Sequence, residues 1–426
     1  MKKTLKTFGI LAMVIAMLIS AVACSAPAPA AATEPAAAPA EAAASAEAPA
    51  EATEAPNTDP VKIGLACALS GSSAAYGNFQ FWAANLAADE INAAGGINGR
   101  KVEIVALDDA MDEAQAPIVA QNFCDDPSII GVIAHGGSSL SAATQPIFEE
   151  AGLCNIAPAS SANYLSDNGY KQWMRIVVSD LYQAPRMAAF AKNNLGCSKM
   201  CIIYSNTDSG IGVVDNITAV AGDLGLEIVG KETYNPGTES DFSTLITKVK
   251  AMNADVICLQ SSYQDGGIIL KQMKELGLEL PVVSLSTLTY RATIELAGAD
   301  AVQNLYCVCT FNPFSTEEMN ANFLANYTKE FGADQIPSSP CGLTYDAVNV
   351  IAEAVRQGAT RENLADWIMN RVPGNETFVM KKMLLGPDIS WADNGNVASF
   401  TCSVVRVNEN GEFYAYENVD ETNLKK

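Results

Sequence analysis

The stretch Ala134-His135-Gly136-Gly137-Ser138-Ser139-Leu140-Ser141-Ala142 places the single histidine of a 426-residue chain three residues ahead of a serine pair. A serine nucleophile needs a base within hydrogen-bond reach and a third group to orient that base. Only His135 could be the base. It closes an apolar strand-like run, where a hydrogen-bonded structural imidazole is the commoner outcome. The strained G-x-S-x-G elbow is missing, because the order is Gly136-Gly137-Ser138-Ser139-Leu140. The G-x-G-x-x-G and G-x-x-x-x-G-K-[ST] phosphate loops are missing too, since Gly225 to Lys231 is followed by Glu232. Serine hydrolysis therefore stays a remote alternative, no nucleotide or other cofactor is expected, and an enzyme is not the leading reading.

Binding is the other chemistry these residues can do. Four segments share hydroxyls and glycines: SGSSAAYG (70–77), HGGSSLS (135–141), APASSAN (157–163) and YSNTDSGIG (204–212). Each stands where a helix is about to begin. Unpaired N–H groups at a helix start, joined by a serine hydroxyl, hold an anion because donors and partial positive charge converge there. Each segment could instead be an ordinary N-cap. Four together favour a shared pocket, with Tyr76, Ser138, Ser139, Ala159, Ser160, Ser161, Asp208 and Ser209 as candidate ligand-binding residues.

Such loops need a scaffold, and the hydrophobic pattern supplies one. Strand-like runs (VKIGLACAL, KVEIVAL, IIGVIAH, LCNIAPA) alternate with helical patterns near 78–93, 112–124 and 139–151. The alternation restarts after about residue 180 with MCIIYSN, EIVGKETY, DVICLQS and PVVSLS around helices near 211–224, 241–252 and 265–276. Strand, helix, strand at this spacing implies two parallel, doubly wound α/β sheets, whose ligands bind beyond the strands' carboxyl ends. Near the end, Asn394-Gly395 and Asn410-Gly411 signal tight hairpins that would add antiparallel edges.

The N-terminus reads as an export signal: Lys2, Lys3 and Lys6, an apolar run from Phe8 to Ile19, then small residues up to Cys24. The run is shorter than the roughly 20 residues of a spanning helix, which leaves a retained membrane helix as the weaker alternative. Ala21-Val22-Ala23-Cys24 resembles a bacterial lipoprotein processing box, with Cys24 as lipidation site and simple secretion as the alternative. Residues 25–60 are Ala, Pro and Glu rich with no apolar face, so they are expected to form an extended disordered tether. Residues 61–426 carry 23 basic and 42 acidic side chains, a net charge of −19, with no basic run longer than a pair such as Lys381-Lys382; nucleic acid is not an expected partner. Ten cysteines follow Cys24, most in apolar strand-like runs, which suits buried free thiols, with disulfides the alternative and no metal set complete.

IGLACALSGSSAAYGNFQFWAANLAADEINAAGGINGRKVEIVALDD, PIFEEAGLCNIAPASSANYLS, LTYDAVNVIAEAV and GPDISWADNGNV resemble segments of the leucine/isoleucine/valine-binding proteins, the extracytoplasmic receptors of branched-chain amino acid ABC transporters. The similarity runs from about Val61 to Tyr416. It implies a type I periplasmic-binding fold of two lobes joined by three crossovers, with residues 61–180 plus 308–385 in the first lobe and 181–307 plus 386–426 in the second. It also implies a monomer held outside the cell membrane by its lipid, closing on an amino acid or small carboxylate and docking on ABC permease subunits. The same clamp could instead serve a sensor kinase or chemoreceptor. By resemblance, Ser138 and Ser161, helped by the Ala159 backbone, grip the ligand's carboxylate, while Tyr76, Ser209 and Tyr263 wall the pocket. The position of the family's acid, which pairs with the ligand's ammonium, reads Ser286 here, so Asp208 or Asp265 would have to supply the charge or the ligand lacks an ammonium.

Overall fold

The computed structural model describes residues 58–416 apart from 334, 375, 376, 399 and 401. The signal, the tether and Cys24 lie outside the described residues. Among those described, no helix is long and apolar enough to cross a membrane.

The chain opens with β1 (Val61–Cys67), α1 (Ala74–Ala93), β2 (Val102–Asp108), α2 (Gln115–Asp125), β3 (Ile129–Ile133), α3 (Ser138–Ala151), β4 (Asn155–Ala157) and β5 (Trp173–Arg175). These five strands form one parallel sheet in the order β2-β1-β3-β4-β5. The chain then runs through α4 (Asp180–Asn193), β6 (Lys199–Ser205), α5 (Asp208–Ala221), β7 (Glu227–Tyr234), α6 (Ser243–Lys250), β8 (Val256–Gln260), α7 (Tyr263–Glu275), β9 (Val282–Leu285), α8 (Arg291–Ala297) and β10 (Leu305–Cys309). Those strands repeat the same order, β7-β6-β8-β9-β10, in a second parallel sheet. Next come α9 (Glu318–Phe331), α10 (Ser339–Arg356), α11 (Leu364–Ile368), β11 (Met380–Met383), β12 (Gly386–Ile389), β13 (Ser403–Val407) and β14 (Phe413–Ala415).

Both sheets are covered on two faces, which is why their central strands are apolar runs rather than alternating ones. One face of the first sheet joins α1 and α10 in a core containing Leu65, Ala84, Val348 and Ile351; the other packs Val132 against Phe123 and Phe148. In the second sheet, Ile203 and Leu259 face α7 while Ile202 and Cys258 face α4 and α5. The nine cysteines from Cys67 to Cys341 are free thiols, and of the ten from Cys67 to Cys402 only Cys124 is not buried. Cys307 and Cys309 share one core, on one face of β10. Burial pushes the Cys67 thiol up to about 12 and Cys124 to about 11, so they remain protonated packing groups.

The lobes exchange chain three times: between β5 and α4, between β10 and α9, and before β13. The last exchange corrects the expected boundary at 386. Trp391 and Val397 belong to the first lobe's core, the Trp391 indole donates to the Arg175 carbonyl at 2.8 Å, and Gly395 lies against Trp173 and Met174. The chain therefore leaves the first lobe between Val397 and Cys402, because its large apolar side chains are already committed there. The second exchange also falls slightly later than 307, since Cys309 still pairs with Ser403 in the second sheet. The expected antiparallel edge is β13 and β14, turning at Gly411; β11 and β12 instead form a separate ribbon.

In each lobe the helix that follows the first strand meets a strand end through a glycine. A Cβ on Gly77 would lie 1.9 Å from the Ala68 carbonyl oxygen, and one on Gly210 would lie 2.0 Å from that of Ser205. Gly77→Ala should therefore destabilise the fold by about 1–3 kcal/mol through overpacking. A drop of several degrees in melting temperature checks this; an unchanged transition would contradict the close approach.

Candidate functional site

A cavity of about 390 Å³ lies where the carboxyl ends of the two sheets meet. The first lobe contributes Ser73, Tyr76, Met111, Gly136, Gly137, Ser138, Ser139, Ala159, Ser161, Ser339 and Pro340. The second contributes Ser205, Thr207, Asp208, Ser209, Gln260, Ser261, Ser262, Tyr263, Ser286, Thr287 and Tyr290. Of the residues expected from sequence, Tyr76, Ser138, Ser139, Ala159, Ser161, Asp208, Ser209, Tyr263 and Ser286 all line this one space.

Ser160 does not. Its hydroxyl is buried against Ser141 Oγ at 2.7 Å and donates to the Gly137 carbonyl at 2.9 Å. In an extended segment neighbouring side chains point to opposite sides, so Ala159 and Ser161 reach the cavity and Ser160 braces the α3 entry from behind. Asp265 is also off the wall: it is buried in the first turn of α7 and accepts from the Gly237 N–H at 3.2 Å. Asp208 does reach the cavity, and its carboxylate accepts from the Tyr164 hydroxyl at 2.7 Å.

The hydroxyl-rich helix starts divide into two kinds. In the second lobe, Thr207 accepts from Gly210 N–H at 3.1 Å and Ser262 from Asp265 N–H at 3.2 Å, so α5 and α7 are capped by their own side chains. In the first lobe, α1, α3 and α10 begin with no side-chain cap bond, and all three starts border the cavity. First-turn amides have no intrahelical acceptor, so these three starts concentrate donor capacity and positive potential on the first-lobe wall.

Individual hydroxyls are committed differently. Ser138 Oγ accepts from the Ala162 N–H at 3.2 Å, which leaves its proton to donate. Ser161 Oγ donates to Asp180 Oδ2 at 2.9 Å, and Ser209 Oγ donates to the same oxygen at 3.0 Å. Those two serines therefore offer lone pairs to anything in the cavity. Asp180 sits fully buried at the first crossover, behind them. Arg175, also fully buried, donates to the carbonyls of Ser160 at 3.1 Å and Ala162 at 3.0 Å, and to Ser166 Oγ. It fixes the loop that carries Ala159 and Ser161. Sequence reasoning missed both: Asp180 follows the α4 cap Ser179 and reads as helix-start acidity, and Arg175 ends a three-residue strand.

His135 lies outside the cavity lining. Its Nδ1 is 2.8 Å from Asp109 Oδ2, both residues are fully buried, and Nε2 has no hydrogen-bond partner among the described residues. A nucleophile–base contact with Ser138, which the hydrolase alternative requires, is not made.

The lobes are in contact around the cavity. Asn163 Nδ2 donates to Asn216 Oδ1 at 2.9 Å, Tyr164 reaches Asp208, and the Tyr290 ring lies 6.4 Å from Tyr76 and 6.2 Å from Phe79. Burial pushes the Asp180 carboxyl up to about 6, against the favourable pull of the two serine hydroxyls and Arg175. A carboxyl that holds its proton more tightly when folded favours the folded state below about pH 4 and loses that contribution as pH rises through about 6. Asp180→Asn mimics the protonated acid, so its melting temperature should gain on wild type between pH 5 and pH 8. A difference independent of pH would refute the buried carboxylate.

The family model described as periplasmic binding protein matches residues 60–412. An amino acid binding protein of Pseudomonas aeruginosa is 34% identical over 219 residues, 51% of this chain and 58% of that relative's length. The leucine-, isoleucine-, valine-, threonine-, and alanine-binding protein of the same organism is 28% identical over 70% of this chain and 79% of its own. Among solved structures, the branched-chain amino acid transporter substrate binding protein LivJ of Streptococcus pneumoniae, in complex with isoleucine, superposes with a TM-score of 0.73 at 25% identity, covering 84% of this chain and all of LivJ. With a family model spanning both lobes and a two-lobed fold enclosing one cavity, the chain belongs to the periplasmic binding protein family.

Proposed function

We propose that the protein is a lipid-anchored solute receptor of an ABC importer that closes its lobes on a small amino-acid-like or carboxylate ligand and docks on permease subunits. The observation that carries this reading is the cavity between the lobes into which three uncapped helix starts of the first lobe open. A ligand carboxylate fits the α3 start, where Ser138 has a proton to donate and the first-turn amides lack intrahelical partners. The amino acids for which the relatives are named are consistent with that head group.

An ammonium needs a counter-charge, because a desolvated cation left unpaired costs several kcal/mol. Ser286 supplies none. Asp180 offers an alternative route: its carboxylate holds the protons of Ser161 and Ser209, so their lone pairs face the cavity with a buried negative charge behind them. The amino group can then donate to Ser161 while Asp180 balances the charge one atom further away. Ligand contacts to both lobes favour the closed state over the open one, since a ligand shifts the equilibrium only by its differential affinity. In this reading the permease and its ATPase subunits, not this chain, perform the work of transport.

A melting-temperature screen against amino acids and short carboxylates tests the binding claim. A true ligand at a hundred times its Kd stabilises by about 2.7 kcal/mol. Ser138→Ala should weaken that ligand by about 1–3 kcal/mol through loss of a hydrogen bond to a charged group; unchanged affinity would remove Ser138 from the site. Anchoring is tested separately. Cys24→Ala should move the protein from the detergent-extracted membrane fraction to the soluble one, and continued membrane retention would rule out the lipid.

A further inference from the structure

The wall formed by the start of α10 carries polar groups that the grip on a carboxylate and an ammonium leaves unused. Ser339 opens this 18-residue helix and lines the cavity with Pro340 and Tyr290. The N-cap residue, Ser338, makes no side-chain bond to the first turn. The hydroxyls of Tyr290, Ser338 and Ser339 have no hydrogen-bond partner among the described residues, although these residues are only 9%, 2% and 4% exposed. Ser338 lies close enough to the Tyr290 phenol to offset part of its burial, yet the two do not reach bonding geometry.

Buried hydroxyls left unbonded are costly, and here two of the three face a space that a ligand would fill. The surroundings are aromatic: the Tyr290 ring lies 5.0 Å from Tyr263 and 6.4 Å from Tyr76. An aliphatic side chain placed here would leave both hydroxyls and the first-turn amides of α10 unpaired. An oxygen acceptor would satisfy them, aided by the positive end of the helix dipole.

Resting on the receptor reading above, we infer that the α10 start and Tyr290 form a second subsite, which takes an oxygen acceptor carried on the far end of the ligand. The ligand is then a polar amino acid, with a carboxylate, carboxamide or hydroxyl on its side chain, rather than a branched-chain aliphatic one. Ser286 and Thr287 line the same cavity without adding charge, so the α10 wall sets this discrimination.

Titration calorimetry on the detergent-solubilised full chain tests the inference with matched sets: leucine against its near-isosteres asparagine and aspartate, and norleucine against glutamine and glutamate. At least one oxygen-bearing member should bind tenfold or more tighter than its apolar counterpart. Ser339→Ala and Tyr290→Phe, the latter removing only a hydroxyl, should each cut that preference at least threefold, the oxygen-bearing ligand binding more weakly and leucine no more weakly than before. Ser138→Ala should weaken every amino acid alike. Leucine and norleucine binding as tightly as their polar counterparts, or a preference untouched by both α10-wall variants, would overturn the second subsite. In that event, leucine binding that still responds to Ser138→Ala keeps the receptor reading standing. No binding by any of the six would overturn both.

Discussion

Asp180 is where the two lobes are chemically joined. It lies at the first crossover, fully buried, and one of its oxygens takes the hydroxyl protons of Ser161 from the first lobe and Ser209 from the second. A carboxylate in that position is expensive to desolvate, and the two hydroxyls and the neighbouring Arg175 recover part of the cost. The arrangement orients both serines so that they present lone pairs inward. It also requires the lobes to be near one another, because separating Ser209 from Asp180 removes one of the few bonds available to that buried oxygen. Ligand polarity and lobe position thus depend on one side chain that does not itself line the cavity.

The two lobes repeat one strand order but finish their helix starts differently. The second lobe spends its threonine and serine hydroxyls on its own backbone, as Thr207 and Ser262 do. The first leaves the starts of α1, α3 and α10 without side-chain caps. A capped start is locally satisfied and electrostatically quiet; an uncapped one keeps its donors for whatever occupies the cavity. That difference contributes to the polarity of the cavity, alongside the start of α8 in the second lobe, which is also uncapped beside it at Tyr290; acceptors are supplied at Ser161, Ser209 and Asp208.

Much of this was legible in the sequence, for physical reasons that particular residues make plain. Parallel strands buried on both faces must be apolar runs, so the alternation and its restart near 180 located both sheets. Hydroxyl and glycine loops after those strands located the cavity, because a doubly wound sheet leaves its crevice there. What was not legible depended on contacts between distant segments. Asp180 could not be told from a helix-start acid, since its serine partners lie 19 and 29 residues away. Ser339 reaches the cavity, opposite Tyr290 of the second lobe, only once α10 returns to the first lobe after the second crossover. The boundary near 386 was misplaced because the pull of Trp391 and Val397 into the first core is invisible until that core exists. Ser160, by contrast, could have been assigned correctly: alternation along Ala159-Ser160-Ser161 already puts it on the far side.

Of the two bonds that cross the rim, Tyr164 to Asp208 is exposed to solvent and Asn163 to Asn216 is partly buried. When the clamp opens, water replaces them at little net loss, since an exchanged hydrogen bond is worth only about 0.5–1.5 kcal/mol. These rim bonds therefore hold the lobes together only weakly beside the buried Asp180 contact and the Tyr290 rings. In the proposed receptor, modest differences in how two solutes fill the interior would set how long the jaws stay together, and dwell time is what a membrane-bound partner would have available to read.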